Sequence, residues 1–265
     1  MQAVGTTRTV SAFNSARLSA NIIHSDEYAR SRGFRGGLVP GTDICGYLTH
    51  PAIAHWGDDW LRQGQGSYRL LSPVYEGDQA TTTVTAATKD ALEVEVAVEG
   101  ELCARASFKP DHGVDEASLP PVPTLTSTAE PPAASEQTLA PGVVLARIER
   151  DMSVAGSAAV LDELRESLPV FREQQWVHTG YLLRLANWAL CFPVRLGPWI
   201  HVGSTVQNFR PCPAGRLLHA RALVTDNFDK KGHRFVELDI RLEAEGTGLV
   251  SRVLHTAIWQ LRPET

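Results

Sequence analysis

Apolar and polar positions follow the same order in the two halves of this chain. Each half has an apolar run of helical length, over 42–55 and 180–190, followed by segments that alternate in polarity or are rich in β-branched residues. These strand-like segments are 84–86, 92–98, 102–108, 217–225, 235–242 and 250–261. Turns rich in Asp and Gly separate them, as antiparallel hairpins require. The pattern predicts an α+β fold with one long buried helix and an antiparallel sheet in each half.

The second half also repeats the spacing of the first. An offset of 138 residues places Gly77 over Gly215 and Pro40 over His178, and a fixed period indicates duplicated architecture. A connector over 110–141 holds seven of the chain's 16 prolines. We therefore predict an N-terminal unit over 1–112, a linker over 113–135 and a degenerate C-terminal copy over 136–265. Within the second copy, 158–168 is predicted to be an amphipathic helix.

Composition narrows the class of protein. The 265 residues are 43% hydrophobic and 21% charged, with a net charge of −5 and no clustered basic face, so no nucleic-acid partner is expected. Charges interrupt every apolar run well before 18 residues, so no membrane partner is expected either. The four cysteines are far apart and the N-terminus lacks a secretory apolar core, which favours reduced thiols and a cytoplasmic location. Neither a zinc-type histidine spacing nor a nucleotide-binding glycine motif is present.

The chemistry is concentrated in 21–41, which reads NIIHSDEYARSRGFRGGLVPG. His24 lies in a short polar turn, and Gly41 opens the first apolar run 17 residues later. An imidazole base opposite the N–H groups of a helix N-terminus can polarise a carbonyl and move the proton beside it. This segment is therefore the candidate site.

Asn21, His24, Asp26, Tyr28-Ala29 and Gly41 together resemble the signature of the MaoC-like acyl-thioester hydratases and dehydratases of the hotdog superfamily. The resemblance implies a double hotdog, and a lyase that acts on an acyl group linked to CoA or to an acyl carrier protein. It implies that His24 is the general base, that Asn21 orients substrate or water, and that the Gly41 amide stabilises the enolate oxygen. No metal or redox cofactor is implied, because the thioester itself acidifies the α-proton.

The chain departs from that signature where the family has its catalytic Asp, because Ser19 stands there, and Pro40 replaces the family's His before Gly41. Proline leaves the Gly41 N–H intact and fixes the turn into the helix. Further candidate substrate-binding residues, some with an equally simple structural role, are Ser19, Asp26, Asp43, Thr49, His178 and Tyr181. Asp26 also suits a helix N-cap, Asp43 a helix dipole, and Thr49 a bond within its own helix.

Two alternatives stay open at this point. Without the carboxylate at Ser19, the pocket could bind or cyclise an acyl or polyketide-type substrate with His24 as its only base. A hotdog thioesterase would need a carboxylate near the helix, for which Asp43 is the candidate.

The second half is expected to supply the far wall of the pocket through Trp176, His178, Tyr181 and Trp199, and so to favour a compact or ring-bearing acyl group. The chain is expected to be a monomeric pseudo-dimer or a homodimer.

Overall fold

The computed structural model describes residues 2–126 and 130–262. Its α-helices are α1 Asp26–Ser31, α2 Gly41–Trp56, α3 Asp58–Gln63, α4 Val154–Glu163, α5 Pro169–Glu173 and α6 Thr179–Cys191. Its strands are β1 Thr7–Ser11, β2 Gln65–Leu70, β3 Gln79–Ala87, β4 Leu92–Val98, β5 Glu101–Lys109, β6 Val144–Met152, β7 Ile200–Asn208, β8 Arg216–Lys230, β9 His233–Ala244 and β10 Gly248–Gln260. Short 3₁₀ turns lie at Ile22–His24 and Glu116–Ser118.

The ten strands form one antiparallel sheet in the order β1-β3-β4-β5-β2-β7-β10-β9-β8-β6. The two halves have the same strand order when each is read inward from its own edge of the sheet. Strands β1, β3, β4, β5 and β2 of the first half correspond to β6, β8, β9, β10 and β7 of the second. The halves join where β2 pairs with β7, from Gln65 opposite Gln207 to Arg69 opposite Gly203. The predicted α+β arrangement, two helix-and-sheet units side by side, is confirmed.

Each half keeps one central helix against its part of the sheet. The helices α2 and α6 begin at Gly41 and Thr179, which are 138 positions apart, and they also contact each other. Twelve of the residues of α2 are buried on all sides of the helix, as expected for a sequence that is apolar all round. Gly57, at φ 69°, ends α2 in a conformation that glycine adopts without strain.

The predicted helix over 158–168 is wrong in its bounds. The helix α4 begins earlier, after the Ser153 cap, and ends at Glu163. Arg165 then adopts φ 55°, a left-handed conformation that cannot continue a right-handed α-helix, and the separate helix α5 begins at Pro169. Four strands, β1, β2, β6 and β7, were not predicted, because their sequences are too polar or too mixed to show clear alternation.

The segment between β5 and β6 contacts the second half at several points. Arg241 donates to the Pro120 carbonyl, and Leu125 and Ala133 form isolated bridges with Ala146 and Arg195. Residues 127–129 of the predicted linker, together with residue 1 and residues 263–265 of the two predicted units, lie outside the described residues. The boundaries at 112 and 136 stay a prediction. Within 2–126 and 130–262, no helix is both long and apolar enough to cross a membrane.

Candidate functional site between the two halves

Two adjoining cavities lie where the loop around His24 meets α6 and β7. The first, of about 290 Å³, is called the Gly41 cavity and is lined by Gly41, Leu38, Leu70, Ile200 and His201, among others. The second, of about 310 Å³, is called the Arg184 cavity and is lined by Arg184, Thr42, Trp188, Cys191 and Phe192, among others. Asn21, His24, Asn187 and Trp199 line both. His24 therefore lies at the junction of the two cavities.

The hydrogen bond of His24 fixes which of its ring nitrogens carries the proton. Its Nδ1 is 2.7 Å from the Leu38 carbonyl oxygen, which can only accept, so Nδ1 carries the proton and Nε2 carries the lone pair. Burial lowers the pKa of the imidazole, against smaller opposing effects of the Leu38 carbonyl and the Asp43 carboxylate. His24 is thus neutral at pH 7 and equipped to act as a base through Nε2.

A close backbone approach fixes the His24 loop. Asn14 Nδ2 donates to the His24 carbonyl over 3.0 Å. On the other side, the chain passes so close at Gly37 that a Cβ atom there would lie 2.2 Å from the His24 carbonyl oxygen. The Gly37 amide in turn donates to Asp26 Oδ1 over 2.8 Å. The close approach at Gly37 and the hydrogen bond of its amide thus hold the His24 loop against the segment that leads into α2.

Gly41 brings the N-terminus of α2 to the same cavity. It is the first helical residue, preceded by Pro40, and its N–H is among those that an α-helix leaves without an intrahelical acceptor. The helix dipole adds positive partial charge at this end. A Cβ atom at Gly41 would lie 2.1 Å from Leu70 Cδ1 and 3.1 Å from His201 Nδ1. The site therefore leaves no room for a side chain at position 41.

The Asn21 side chain bonds to the second half of the chain. Its Nδ2 donates to the Trp199 carbonyl over 3.0 Å, and its Oδ1 accepts from the Trp199 amide over 3.4 Å. Both polar atoms thus bond to the backbone of the second half rather than projecting free toward a ligand. Asn21 connects the His24 loop to the far wall of the pocket.

Two of the other predicted residues lie at the surface. Ser19 is exposed at the margin of the Arg184 cavity, and its hydroxyl donates to the Asn21 carbonyl over 3.4 Å. Asp26 lines neither cavity. Its carboxylate accepts from Gly37 and pairs with Arg30 at 3.2 Å, and the Gly37 bond is the main reason that its pKa is lowered. Asp26 is the first residue of α1 rather than its N-cap.

The two polar candidates on α2 line neither cavity, although Asp43 bonds to two residues that line the Arg184 cavity. Asp43 is buried, where Arg184 Nε donates to it over 2.9 Å and Ser15 Oγ over 2.5 Å. Thr49 donates to the Cys45 carbonyl over 2.7 Å and lies 2.8 Å from the Tyr68 hydroxyl. Their placement as substrate-binding residues does not fit this geometry, because each is held by protein partners.

The far wall also differs from the predicted one. His178 is a buried N-cap of α6 that accepts from Gly180, and its Nε2 lies 3.4 Å from Glu166 Oε2. Tyr181 is buried with its ring edge-on to Trp188. Neither these two residues nor Trp176 lines the Gly41 or Arg184 cavity. Of the four residues predicted for this wall, only Trp199 lies in it.

From the sequence, Arg184 was not singled out, and Asn187 and His201, like His178, were expected to be packing residues rather than catalysts. A signal for the first two was present: with Trp188 and Cys191 they share the spacing of one helix face, which places two polar side chains on an otherwise apolar run. No local signal marks His201, because strand β7 and the start of α2 are far apart in sequence.

The chemistry open to the site follows from its lining. None of the described residues that line the two cavities is acidic. The junction instead combines a neutral imidazole with the positive end of a helix, inside mostly apolar walls. Such an arrangement can remove a proton next to a carbonyl and stabilise the negative charge that develops on the oxygen.

No protein-family model and no curated protein sequence matches the chain. Solved structures do resemble it along its whole length. A MaoC-like dehydratase superposes with a TM-score of 0.62 at 12% identity, over 97% of this chain and 98% of the other. A conserved hypothetical protein from Mycobacterium tuberculosis with a double hotdog fold superposes with a TM-score of 0.61 at 14% identity, over 97% and 96%. A candidate oleoyl thioesterase from Lactobacillus plantarum gives 0.50 at 10% identity, over 98% of each chain.

These likenesses agree with the mirrored strand order and with the two central helices. At such low identity they establish the architecture and leave the reaction open, since proteins with different named activities share it. The chain has the double-hotdog fold.

Proposed function

We propose that this protein is a hydro-lyase that adds water to, or removes it from, an acyl thioester linked to CoA or to an acyl carrier protein. The observation that carries the proposal is the convergence of His24 and Gly41 on one cavity. His24 is a base whose free nitrogen is fixed by the bond to Leu38, and Gly41 offers an amide at a helix N-terminus.

In the dehydration direction, His24 Nε2 takes the α-proton from a β-hydroxyacyl thioester, and negative charge collects on the thioester oxygen beside the Gly41 amide. The enolate then expels the β-hydroxyl group, which leaves as water with the proton of the His24 imidazolium. The bond between Cα and Cβ becomes double, and the imidazole is neutral again. Because one imidazole handles both protons, the hydrogen and the hydroxyl group leave from the same face. Hydration follows the same steps in reverse.

The walls favour a compact or ring-bearing acyl group. Trp188 and Phe192 line the Arg184 cavity and stack with ring centroids 5.8 Å apart, and Trp199 lines both cavities. Each cavity is close to the lower limit of about 300 Å³ for small-molecule sites. A long straight chain would need more room than either provides.

The thioesterase alternative is disfavoured by the position of Asp43. The carboxylate that such an enzyme would need is buried under Arg184 and Ser15 and does not line a cavity. Binding or cyclisation of an acyl chain without hydration is the second candidate, and it is favoured because no acidic side chain is among the described residues that line the two cavities.

A panel of enoyl-CoA and β-hydroxyacyl-CoA thioesters, from crotonyl-CoA to cinnamoyl-CoA, tests the proposal. We expect loss or gain of the enoyl absorbance without release of free thiol, faster for cinnamoyl-CoA than for a long straight-chain enoyl-CoA. His24→Ala should lower kcat by at least about 10²-fold, the lower end of general-base contributions. The matched control His219→Ala lies on β8, outside both cavities, and should leave kcat unchanged.

Three outcomes contradict the proposal in different ways. Absence of turnover across the panel, with an intact fold, leaves the binding or cyclising alternative. Thiol release identifies a thioesterase. Hydration that survives in the His24→Ala variant removes His24 from the mechanism.

A further inference from the structure

The side chain of Asn187 lies at the junction of the two cavities and has no hydrogen bond to any described residue. Asn187 belongs to α6, is half-buried and lines both the Gly41 cavity and the Arg184 cavity, as His24 does. Its Oδ1 is enclosed by protein and unpaired, whereas Nδ2 is not enclosed. The part of this amide that a ligand can reach is therefore the nitrogen, a hydrogen-bond donor.

The enclosed oxygen indicates which way round the amide lies. With the two amide atoms exchanged, the nitrogen would be enclosed by protein with both of its hydrogens unpaired. Orphan donors are rarer in proteins than under-used acceptors. The orientation with Oδ1 inward is therefore favoured, and it leaves Nδ2 on the cavity side.

Comparison of the two halves explains why the amide is unpaired. Asn187 lies 138 positions after Thr49, and Val206 lies 138 positions after Tyr68, the offset that also relates α6 to α2. In the first half, Thr49 and Tyr68 hydrogen-bond to each other over 2.8 Å, and neither lines a cavity. In the second half, a buried valine stands in place of the tyrosine and offers no polar atom. The second half thus keeps a polar side chain at this helix position without the partner that would bind it inside the fold.

A hydroxyl group or a water molecule matches the chemistry of His24 and Asn187 together. His24 has its proton on Nδ1, bonded to Leu38, so its Nε2 can only accept. Asn187 Nδ2 can only donate. A hydroxyl group or a water molecule both donates and accepts, so it can bond to the two side chains at once.

We propose that Asn187 is a catalytic residue whose Nδ2–H donates a hydrogen bond to the β-hydroxyl oxygen in dehydration and to the attacking water in hydration. This inference rests on the proposed thioester chemistry and gives the second half a direct part in it. In dehydration, one lone pair of the hydroxyl oxygen accepts from Asn187, and the other receives the proton of the His24 imidazolium as the bond between Cβ and oxygen breaks. The bonding electrons leave with the oxygen as water. The amide remains neutral and transfers no proton.

The position of Asn187 is fixed through its helix. Arg184 lies three residues earlier on α6 and pairs with Asp43 of α2 at 2.9 Å and with Glu163 of α4 at 2.6 Å. These ion pairs hold α6 against the first half, which carries His24. The donor therefore needs little reorganisation when negative charge develops on the departing oxygen.

Asn187→Leu tests the donor, because leucine is similar in size and cannot donate a hydrogen bond. We expect kcat for hydration of crotonyl-CoA and for dehydration of β-hydroxybutyryl-CoA to fall by about 10–10²-fold, the cost of one lost hydrogen bond to a group that develops charge. Asn187→Gln keeps an amide and should recover part of this loss. The matched control Asn227→Leu, on β8 and outside both cavities, should keep wild-type kcat.

Deuterium exchange separates a donor to the hydroxyl group from a structural role. Butyryl-CoA has no β-hydroxyl group, so exchange of its α-proton needs the base and the helix N-terminus but not Asn187. Asn187→Leu should therefore exchange this proton at the wild-type rate. A folded variant with wild-type kcat for hydration, or one that loses hydration and exchange equally, would overturn the inference. If Asn187→Leu does not fold, Asn187→Ala, which only removes atoms at the cavity, should show the same split between the two measurements.

Binding tests the inference even if the wild-type protein turns over no thioester, a result that would refute the proposed function. Calorimetry then compares the Kd values of butyryl-CoA and β-hydroxybutyryl-CoA, which differ only in the hydroxyl group. The wild-type protein should bind β-hydroxybutyryl-CoA about 2–10-fold more tightly, as one neutral hydrogen bond allows, and Asn187→Leu should lose this preference. Equal affinity of the wild-type protein for the two thioesters would overturn the role of Asn187.

Discussion

His24 and His201 face the Gly41 cavity from opposite halves of the chain, and burial lowers the pKa of both imidazoles. The Leu38 carbonyl accepts from His24 Nδ1 and leaves the lone pair on Nε2, whereas His201 Nε2 lies 2.9 Å from Ser204 Oγ. His24 can therefore act as a base although no carboxylate is among the described residues that line the two cavities.

The lowered pKa of His24 predicts the pH dependence of activity. A base works only when unprotonated, so kcat/KM should fall as pH drops through the pKa of His24 and stay level above it. Because that pKa is below the ordinary histidine value of about 6.5, the plateau should already be reached near neutral pH. Steady-state kinetics between pH 5 and 9 measure this. A profile that keeps rising above pH 8 would contradict a buried histidine base.

At the scale of elements, Gly37 sets how closely the segment before α2 can approach the His24 loop. Gly37→Ala would force a Cβ atom to within 2.2 Å of the His24 carbonyl oxygen, which is backbone and cannot rotate away. We expect a loss of about 3 kcal/mol in the free energy of unfolding, at the upper end of overpacking costs, with loss of activity. Chemical denaturation measures the change.

Gly197→Ala is the matched control for this substitution, since a Cβ atom there would meet nothing within 4 Å. Its free energy of unfolding should remain within about 0.5 kcal/mol of wild type, as for most surface substitutions. Equal stability of the two variants would show that the close approach at Gly37 is not a constraint.

The central helices and most strands could be predicted from the sequence more readily than the contacts between distant residues. The apolar runs over 42–55 and 180–190 correspond to α2 and α6, because a buried central helix is apolar over most of its surface. Strand β2 was missed because its sequence, QGSYRL, is mostly polar, although it joins the halves. The helix over 158–168 was overextended because apolar periodicity continues past Glu163 into α5.

The candidate site was predictable only where it is local. His24 and Gly41 lie in one segment, and their spacing brings both to the same cavity. The partners of Asn21 and Asp43 could not be inferred, because Trp199 and Arg184 are 178 and 141 residues away from them. His178 and Tyr181 had suitable chemistry, but their orientation depends on how α6 packs against the first half. Spacing along a chain does not encode that packing.

At the scale of the molecule, buried polar contacts hold the halves together around the site. Arg184 of α6 pairs with Asp43 of α2 at 2.9 Å and with Glu163 of α4 at 2.6 Å. Glu166 accepts from the Ser167 and Leu168 amides, lies 2.8 Å from His50 Nδ1 of α2, and lies 3.4 Å from Nε2 of His178, the N-cap of α6. These contacts fix α6, and with it the wall that carries Asn187.

Arg184→Leu tests this connection between the halves. The substitution leaves Asp43 buried without its cation, and removing one partner of a buried ion pair costs about 3–5 kcal/mol. The matched control Arg172→Leu breaks an exposed pair with Asp162 and should cost at most about 1 kcal/mol. Denaturant unfolding compares the two variants. A cost for Arg184→Leu no larger than for Arg172→Leu would show that the buried pair does not stabilise the fold.

The central claim is that His24 removes a proton next to a thioester polarised at the N-terminus of α2. Deuterium exchange at the α-carbon of saturated acyl-CoA thioesters, followed by mass spectrometry in heavy water, measures that step without requiring a β-hydroxyl group. The wild-type protein should incorporate deuterium, and His24→Ala should abolish the exchange while the thioester still binds. No exchange with any thioester that binds the wild-type protein, or exchange that persists in His24→Ala, would contradict the account.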